Sequence, residues 1–123
     1  MSAWWLTKQA RFEASHVLPR QGGKCARLHG HSWTVEIEAA GYALQESGTR
    51  SGMVMDFADI GGPLKRLVEA SLDHYHLNET TGLPDPTSEA LARWIYERLA
   101  PEIPALSAVS VRETCTSCVE YRP

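Results

Sequence analysis

The chain runs Trp4-Trp5-Leu6-Thr7-Lys8-Gln9-Ala10-Arg11-Phe12-Glu13-Ala14-Ser15-His16 near its beginning. Apolar and polar side chains alternate through most of this stretch, which is the pattern of a β-strand with one face buried and the other in water. Leu6, Ala10 and Phe12 share the apolar face, and the same register places His16 on it. The stretch therefore predicts a long strand that ends in an inward-facing histidine.

A second alternating stretch extends from about His29 to Tyr42, after a glycine-containing loop. Its apolar positions include Trp33 and continue the register of His29 and His31, because residues two apart on a strand point to the same face. Pairing of the two strands as a hairpin would bring their histidine-bearing ends together. The sequence therefore predicts that His16, His29 and His31 lie close together on the buried face.

Two helices are predicted between this hairpin and the C-terminal part of the chain. Asp56 is a good N-cap for a helix that ends near Leu72, although the string Gly61-Gly62-Pro63 predicts a kink or a start at Pro63. Residues 73–87 are predicted to form a polar loop. The second helix begins near Thr87 or Ser88 and stops before the prolines that follow it.

The C-terminal part predicts two further strands, at about 106–114 and 117–122. Val109 and Val111 face inward, and Glu113 continues their register, which is costly for a carboxylate unless it is paired. The whole order predicts an α+β fold with a four-stranded antiparallel sheet and both helices inserted between strands 2 and 3. Four strands cannot close a barrel alone, so we expect oligomerisation through the strand edges.

The composition is that of an ordinary globular protein. The chain has 123 residues, 43% of them hydrophobic and 22% charged, which indicates one domain spanning residues 1–123. A net charge of −3 argues against nucleic-acid binding, and no apolar run approaches the length of a membrane span. The three cysteines and the absence of a signal-peptide pattern predict a cytoplasmic protein with reduced thiols.

The three histidines form a candidate metal site. Three imidazole nitrogens suit Zn²⁺ and leave one coordination position open, as in catalytic zinc sites. Cys25, four residues before His29, has three interpretations: a fourth zinc ligand, a thiolate base or nucleophile beside an open zinc, or a packed thiol. The spacing alone does not separate the first two.

Two other groups have chemical potential. Asp73 and His74 form an acid–histidine pair that could polarise a thiol, although a histidine at the end of a helix also interacts with the helix dipole. Cys115 and Cys118 form a Cys-x-x-Cys motif. No second such motif completes a four-thiolate zinc site, and the pair follows a strand instead of beginning a helix, so structural cysteines are favoured over a redox pair.

Together these strings resemble the 6-pyruvoyl-tetrahydropterin synthase / 6-carboxy-tetrahydropterin synthase family. The strings occur in family order and extend over nearly the whole chain. They are Phe12-Glu13-Ala14-Ser15-His16, Cys25-Ala26-Arg27-Leu28-His29-Gly30-His31, Gly52-Met53-Val54-Met55-Asp56-Phe57, Leu72-Asp73-His74, Leu77-Asn78, Pro86-Thr87-Ser88-Glu89, Val111-Arg112-Glu113-Thr114 and Tyr121.

The resemblance implies the T-fold (tunnelling fold), in which sheets from several subunits join into a β-barrel with active sites at the interfaces. It implies zinc on His16, His29 and His31, and Cys25 as the general base. By the same resemblance, Asp73 and His74 would activate the thiol, with His74 coming from a neighbouring subunit. A trimer or hexamer would be the expected assembly.

The resemblance also implies a pterin substrate, 7,8-dihydroneopterin triphosphate. Glu113 would hold the pterin ring through its N–H edge, and Thr87 and Ser88 resemble further pocket residues. The short Cys-x-x-x-His-Gly-His spacing is similar to that of the bacterial 6-carboxy enzymes of queuosine biosynthesis, which release acetaldehyde and triphosphate. A 6-pyruvoyl synthase and a non-catalytic zinc-binding pterin module are the alternatives.

Overall fold

The computed structural model describes residues 2–123 as an α+β fold. Three α-helices and five strands make up most of its regular structure. In chain order they are β1 (Trp4–His16), β2 (His29–Gly41), α1 (Phe57–Leu67), β3 (Tyr75–His76), α2 (Leu77–Thr81), α3 (Ser88–Leu99), β4 (Leu106–Thr114) and β5 (Ser117–Tyr121). No helix in this range is long and apolar enough to cross a membrane.

The five strands form one sheet in the order β3-β1-β2-β4-β5. β1 and β2 pair antiparallel along their whole length, from Trp4 opposite Gly41 to His16 opposite His29. The four long strands match the predicted ones, and the hairpin is confirmed. The predicted strand number was too low by one, because β3 adds a short parallel pairing with Ala14 and Ser15.

The apolar faces of β1, β2 and β4 pack against α1 and α3. Phe12 and Trp33 are completely or almost completely buried, with stacked rings whose centroids are 6.0 Å apart. α1 contributes Ile60 to this core, and α3 contributes Leu91 among other residues. The alternation in the sequence therefore corresponds to a one-sided core, as in an antiparallel sheet covered by helices on one face.

The start of α1 confirms the N-cap predicted at Asp56. The helix begins at Phe57 and not at Pro63, because Asp56 and Asp59 form a reciprocal capping box at its first turn. Gly61 faces the side chain of Lys8 on β1, whose Cε would lie 3.0 Å from a Cβ atom at this position. A turn of π-helix then extends α1 from Val68 to Leu72, near the predicted end.

Residues 73–87 are more ordered than the predicted polar loop. They contain β3 and α2, and Gly82 ends α2 with a φ of 73°, a conformation that favours glycine. The second predicted helix is confirmed as α3, where the hydroxyl of Thr87 accepts a hydrogen bond from the backbone N–H of Ala90.

Candidate metal centre and its surroundings

The structure brings the three predicted histidines together at one end of the β1–β2 hairpin. His16 lies directly opposite His29 in the register, and His31 is two residues further along the same face of β2. The ring centroids are 4.5 to 5.2 Å apart, and the rings meet edge to face. The ring of Trp33 also packs edge to face against His16 and His31, with centroid distances of 5.1 and 5.3 Å.

Two backbone carbonyl groups set the orientation of the imidazoles. Nδ1 of His16 donates a hydrogen bond to the carbonyl oxygen of Pro86 at 2.9 Å, and Nδ1 of His29 donates to that of Arg27 at 2.7 Å. A proton held on Nδ1 leaves Nε2 with its lone pair, so each ring offers one nitrogen to a metal. The sequence carries no signal for either carbonyl, because every residue has one.

The protonation of His16 also favours metal binding. Its side chain has no exposed surface, and burial lowers its pKa, opposed by the hydrogen bond to Pro86 and by the charge of Glu113. The ring is therefore neutral at pH 7, as a metal ligand must be.

Glu113 joins the histidines from β4. Its Oε1 lies 2.9 Å from Nε2 of His31 and 3.4 Å from Nε2 of His16. One donor atom from each of His16, His29, His31 and Glu113 lies within 4.8 Å of all the others. The inward register that the sequence predicted for Glu113 is confirmed.

These residues fit a metal ion. Nε2 of His16 and Nε2 of His31 are buried, and neither makes a hydrogen bond to any described residue. Buried polar atoms without partners are rare in folded proteins and require an explanation. A cation among the donors supplies one, and nitrogen donors with a carboxylate are a ligand set that zinc accepts. The group could therefore bind a metal.

Cys25 lies apart from this group. It belongs to a short 3₁₀ turn, Gly23–Ala26, in the loop between β1 and β2, and its side chain is exposed. Its backbone oxygen accepts a hydrogen bond from the N–H of Leu18 at 2.8 Å, which ties the loop together. Among the described residues, the cluster of mutually close metal-donor atoms does not include its thiol.

Asp73 and His74 form the predicted pair, located along the outer edge of β1. Oδ1 of Asp73 accepts a hydrogen bond from the N–H of Glu13 at 2.9 Å, and its Oδ2 lies 3.0 Å from Nδ1 of His74. The bond from Glu13 and then the one from His74 lower the pKa of Asp73. His74 has a φ of 64° and is largely exposed. An open groove is lined by His74 of this pair and by His31 of the metal centre, together with Glu13, Ser15 and His76 among others.

The remaining predicted residues border the centre. Thr87 and Ser88 follow Pro86 directly, so they begin α3 beside the carbonyl that holds His16. Asn78, which the sequence marks only as part of a string that resembles the family, holds the end of β1. Its side-chain oxygen accepts from the N–H of Val17 and its amide donates to the carbonyl of Val17, both at 2.9 Å.

The family model described as 6-pyruvoyl tetrahydropterin synthase matches residues 5–123. The chain belongs to this family.

Individual family members agree with the match. The chain is 47% identical over 119 residues to 6-carboxy-5,6,7,8-tetrahydropterin synthase of Synechocystis, covering 96% of this chain and 92% of the relative. It is 35% identical over 131 residues to a Bacillus subtilis protein of the same name, covering 96% and 84%. The structure of 6-pyruvoyl tetrahydropterin synthase of Caenorhabditis elegans superposes with a TM-score of 0.85 at 23% identity, covering 100% and 97%, which shows the same fold. The resemblance inferred from the sequence strings is confirmed.

Proposed function

We propose that the chain is a zinc-dependent 6-carboxy-5,6,7,8-tetrahydropterin synthase of queuosine biosynthesis. It would convert 7,8-dihydroneopterin triphosphate to 6-carboxytetrahydropterin, acetaldehyde and triphosphate. The observation that carries the proposal is the converged His16–His29–His31 centre in a chain that shares 47% of 119 aligned residues with a protein of that name. Such a reaction is that of a lyase acting on carbon–oxygen and carbon–carbon bonds.

His16, His29 and His31 would hold the zinc ion. When bound, zinc supplies Lewis-acid polarisation of the substrate's side-chain hydroxyl groups. The chain's own contribution is rigidity, since carbonyl oxygens fix two of the three rings and the end of β1 is clamped by Asn78. Fixed rings lose little freedom on binding a metal, which favours affinity.

Cys25 would act as the base that removes a proton from the substrate side chain. Cys25 is exposed in the loop between β1 and β2, the two strands that carry the histidines. This position supports a role at a surface that another subunit completes. Asp73 orients His74 through Nδ1, which leaves Nε2 of His74 free to accept a proton from a thiol. Because this pair lies at the edge of β1, it is well placed to serve Cys25 of a neighbouring subunit.

The substrate's ring would be held by Glu113, with Thr87 and Ser88 lining the pocket. Glu113 is an acceptor-only group when ionised, which matches the N–H edge of a pterin. The hydroxyl oxygen of Thr87 accepts the capping hydrogen bond of α3, and its O–H proton stays available to donate to a ligand.

The working form would be a cytoplasmic homo-oligomer, a trimer or hexamer with a closed β-barrel. Two observations support it. β3 pairs with β1 only at Ala14 and Ser15, so most of that edge has no strand partner in the described chain, and β5 forms the other edge. All three cysteines are free thiols, as expected in a reducing compartment.

The decisive experiment is turnover with identified products. Zinc-loaded protein is incubated with 7,8-dihydroneopterin triphosphate, and mass spectrometry identifies the pterin and the released fragment. We expect 6-carboxytetrahydropterin and acetaldehyde. A pyruvoyl product without acetaldehyde would contradict the 6-carboxy activity.

A cysteine variant tests the proposed base. Cys25→Ala should retain zinc and lose turnover, because the thiol is not among the clustered donors. Cys115→Ala, which removes another exposed thiol, is the matched control and should keep both. Product formation by Cys25→Ala at the rate of the control would rule out the thiolate as base.

A further inference from the structure

Glu113 has the geometry of a metal ligand in addition to any contact with substrate. Four ligands at metal–donor distances of about 2.0–2.1 Å in a tetrahedron are separated from one another by roughly 3.3 Å. Oε1 of Glu113 lies 3.4 Å from Nε2 of His16 and 2.9 Å from Nε2 of His31. The carboxylate oxygen therefore stands at about the separation of a neighbouring vertex from two of the histidine nitrogens.

The contact between Glu113 and His31 is not a hydrogen bond despite its length. Nε2 of His31 is without a hydrogen-bond partner among the described residues, so the oxygen does not lie where an N–H on that ring would point. Nε2 of His16 is in the same condition. The carboxylate oxygen and the imidazole nitrogens are close together but are not aligned for a hydrogen bond. Metal-binding atoms adopt this arrangement when their lone pairs all point to one ion between them.

The charge of Glu113 also lacks a partner other than the histidines. In the part of the chain that the structure describes, no Lys or Arg nitrogen lies within 4.0 Å of its carboxylate, and its side chain is only 33% exposed. A carboxylate removed from most of its water needs a positive charge nearby. A divalent cation between the histidine nitrogens and this oxygen supplies that charge.

We propose that Glu113 is the fourth ligand of the metal in the substrate-free protein and leaves the metal when the substrate's hydroxyl groups bind. This inference rests on the proposed function. The exchange releases the carboxylate at the moment when the pterin ring arrives, so metal coordination of the side chain and capture of the ring are linked. A site with four protein ligands also keeps solvent water off the metal between turnovers.

Metal affinity is the first test, measured by competition with a chromophoric chelator for Zn²⁺. Glu113→Ala and Glu113→Gln should bind Zn²⁺ at least about tenfold more weakly than the wild type, since even removing a group that only supports a ligand costs roughly 10- to 100-fold. Glu120→Gln is the matched control, because it neutralises an exposed carboxylate on the adjacent strand β5. It should bind Zn²⁺ like the wild type. Circular dichroism checks that each variant is folded.

The second test is the visible spectrum of the Co²⁺-loaded protein as a function of pH. Water bound to such a metal loses a proton near pH 7, which changes the spectrum. With Glu113 in the fourth position, the wild-type spectrum should be constant from pH 6 to pH 8. Glu113→Ala admits water and should show a titration in that range. A thiolate charge-transfer band in the wild type would instead identify Cys25 as the fourth ligand and overturn the inference.

The outcomes separate this inference from the proposed function. His29→Ala should lose metal binding whichever group is the fourth ligand. If the wild type binds Zn²⁺, His29→Ala does not, and Glu113→Ala matches the wild type in affinity and spectrum, only the role of Glu113 is refuted. If the wild type binds no Zn²⁺, both proposals fail.

Discussion

The side chain of Asn78 acts as a clamp on the end of β1, and its removal should cost much of the protein's stability. It accepts from the N–H and donates to the C=O of Val17, both at 2.9 Å, which reproduces the two bonds of a strand pairing. Each bond contributes about 1 kcal/mol, and half-buried partners left unpaired add a penalty. We expect Asn78→Ala to lower the free energy of unfolding by about 2–3 kcal/mol, a large share of the roughly 5–15 kcal/mol of a typical domain.

A second variant separates hydrogen bonding from lost packing. Asn78→Asp keeps the shape and the oxygen that accepts from Val17 N–H, but it places another oxygen against the carbonyl of Val17. At pH 7 it should therefore be at least as destabilised as Asn78→Ala. Lowering the pH should restore part of its stability, because a protonated carboxyl can donate to that carbonyl.

The assay is urea unfolding followed by circular dichroism, with a chelator present and one protein concentration throughout. These conditions keep metal binding and subunit association from contributing to the measured difference. Arg66→Ala is the control, since it removes an exposed ion pair with Glu102 at 3.0 Å that is worth at most about 1 kcal/mol. If Asn78→Ala unfolds within about 0.5 kcal/mol of this control, the clamp does not stabilise the strand end.

Two further predictions concern the sheet away from the centre. Hydrogen bonds from Arg122, opposed by burial and aided by Ser107, lower the pKa of Glu38 below its ordinary value of 4.5. Stability from this ion pair is fully present above the ordinary pKa of Glu38 and is lost as the pH falls through its lower pKa in the folded protein. Arg122→Ala should therefore make the free energy of unfolding less dependent on pH in the acid range. Gly41→Ala would place its Cβ inside contact distance of Cγ1 of Val54, so calorimetry should show a loss of about 1–3 kcal/mol, relieved by adding Val54→Ala.

Much of the fold could be predicted because its long elements repeat a local pattern. The alternation of β1 and β2 and the caps at Asp56 and Thr87 are properties of neighbouring residues, and the structure has each of them. β3 escaped prediction because it has only two residues, and its partners on β1 are about 60 positions away. α1 begins after the predicted cap at Asp56, because its capping box outweighs the weak helix propensity of the Gly-Gly-Pro string that offered Pro63 as another start.

The candidate site divides in the same way. The phase of His16, His29, His31 and Glu113 follows from the sequence alone, because a strand has a period of two residues and a side chain cannot change face without shifting the whole register. That phase is enough to predict that the histidines meet on one inward surface.

Packing between separate elements sets which groups share that surface as donors and which stand apart. It put Glu113 about one ligand separation from two histidine nitrogens, left Cys25 outside the cluster and used the carbonyl of Pro86 to orient His16. The physical reason is that these distances depend on how β4, α3 and the hairpin loop pack against one another. Packing of separate elements is set by contacts across long stretches of chain, which no local repeat records.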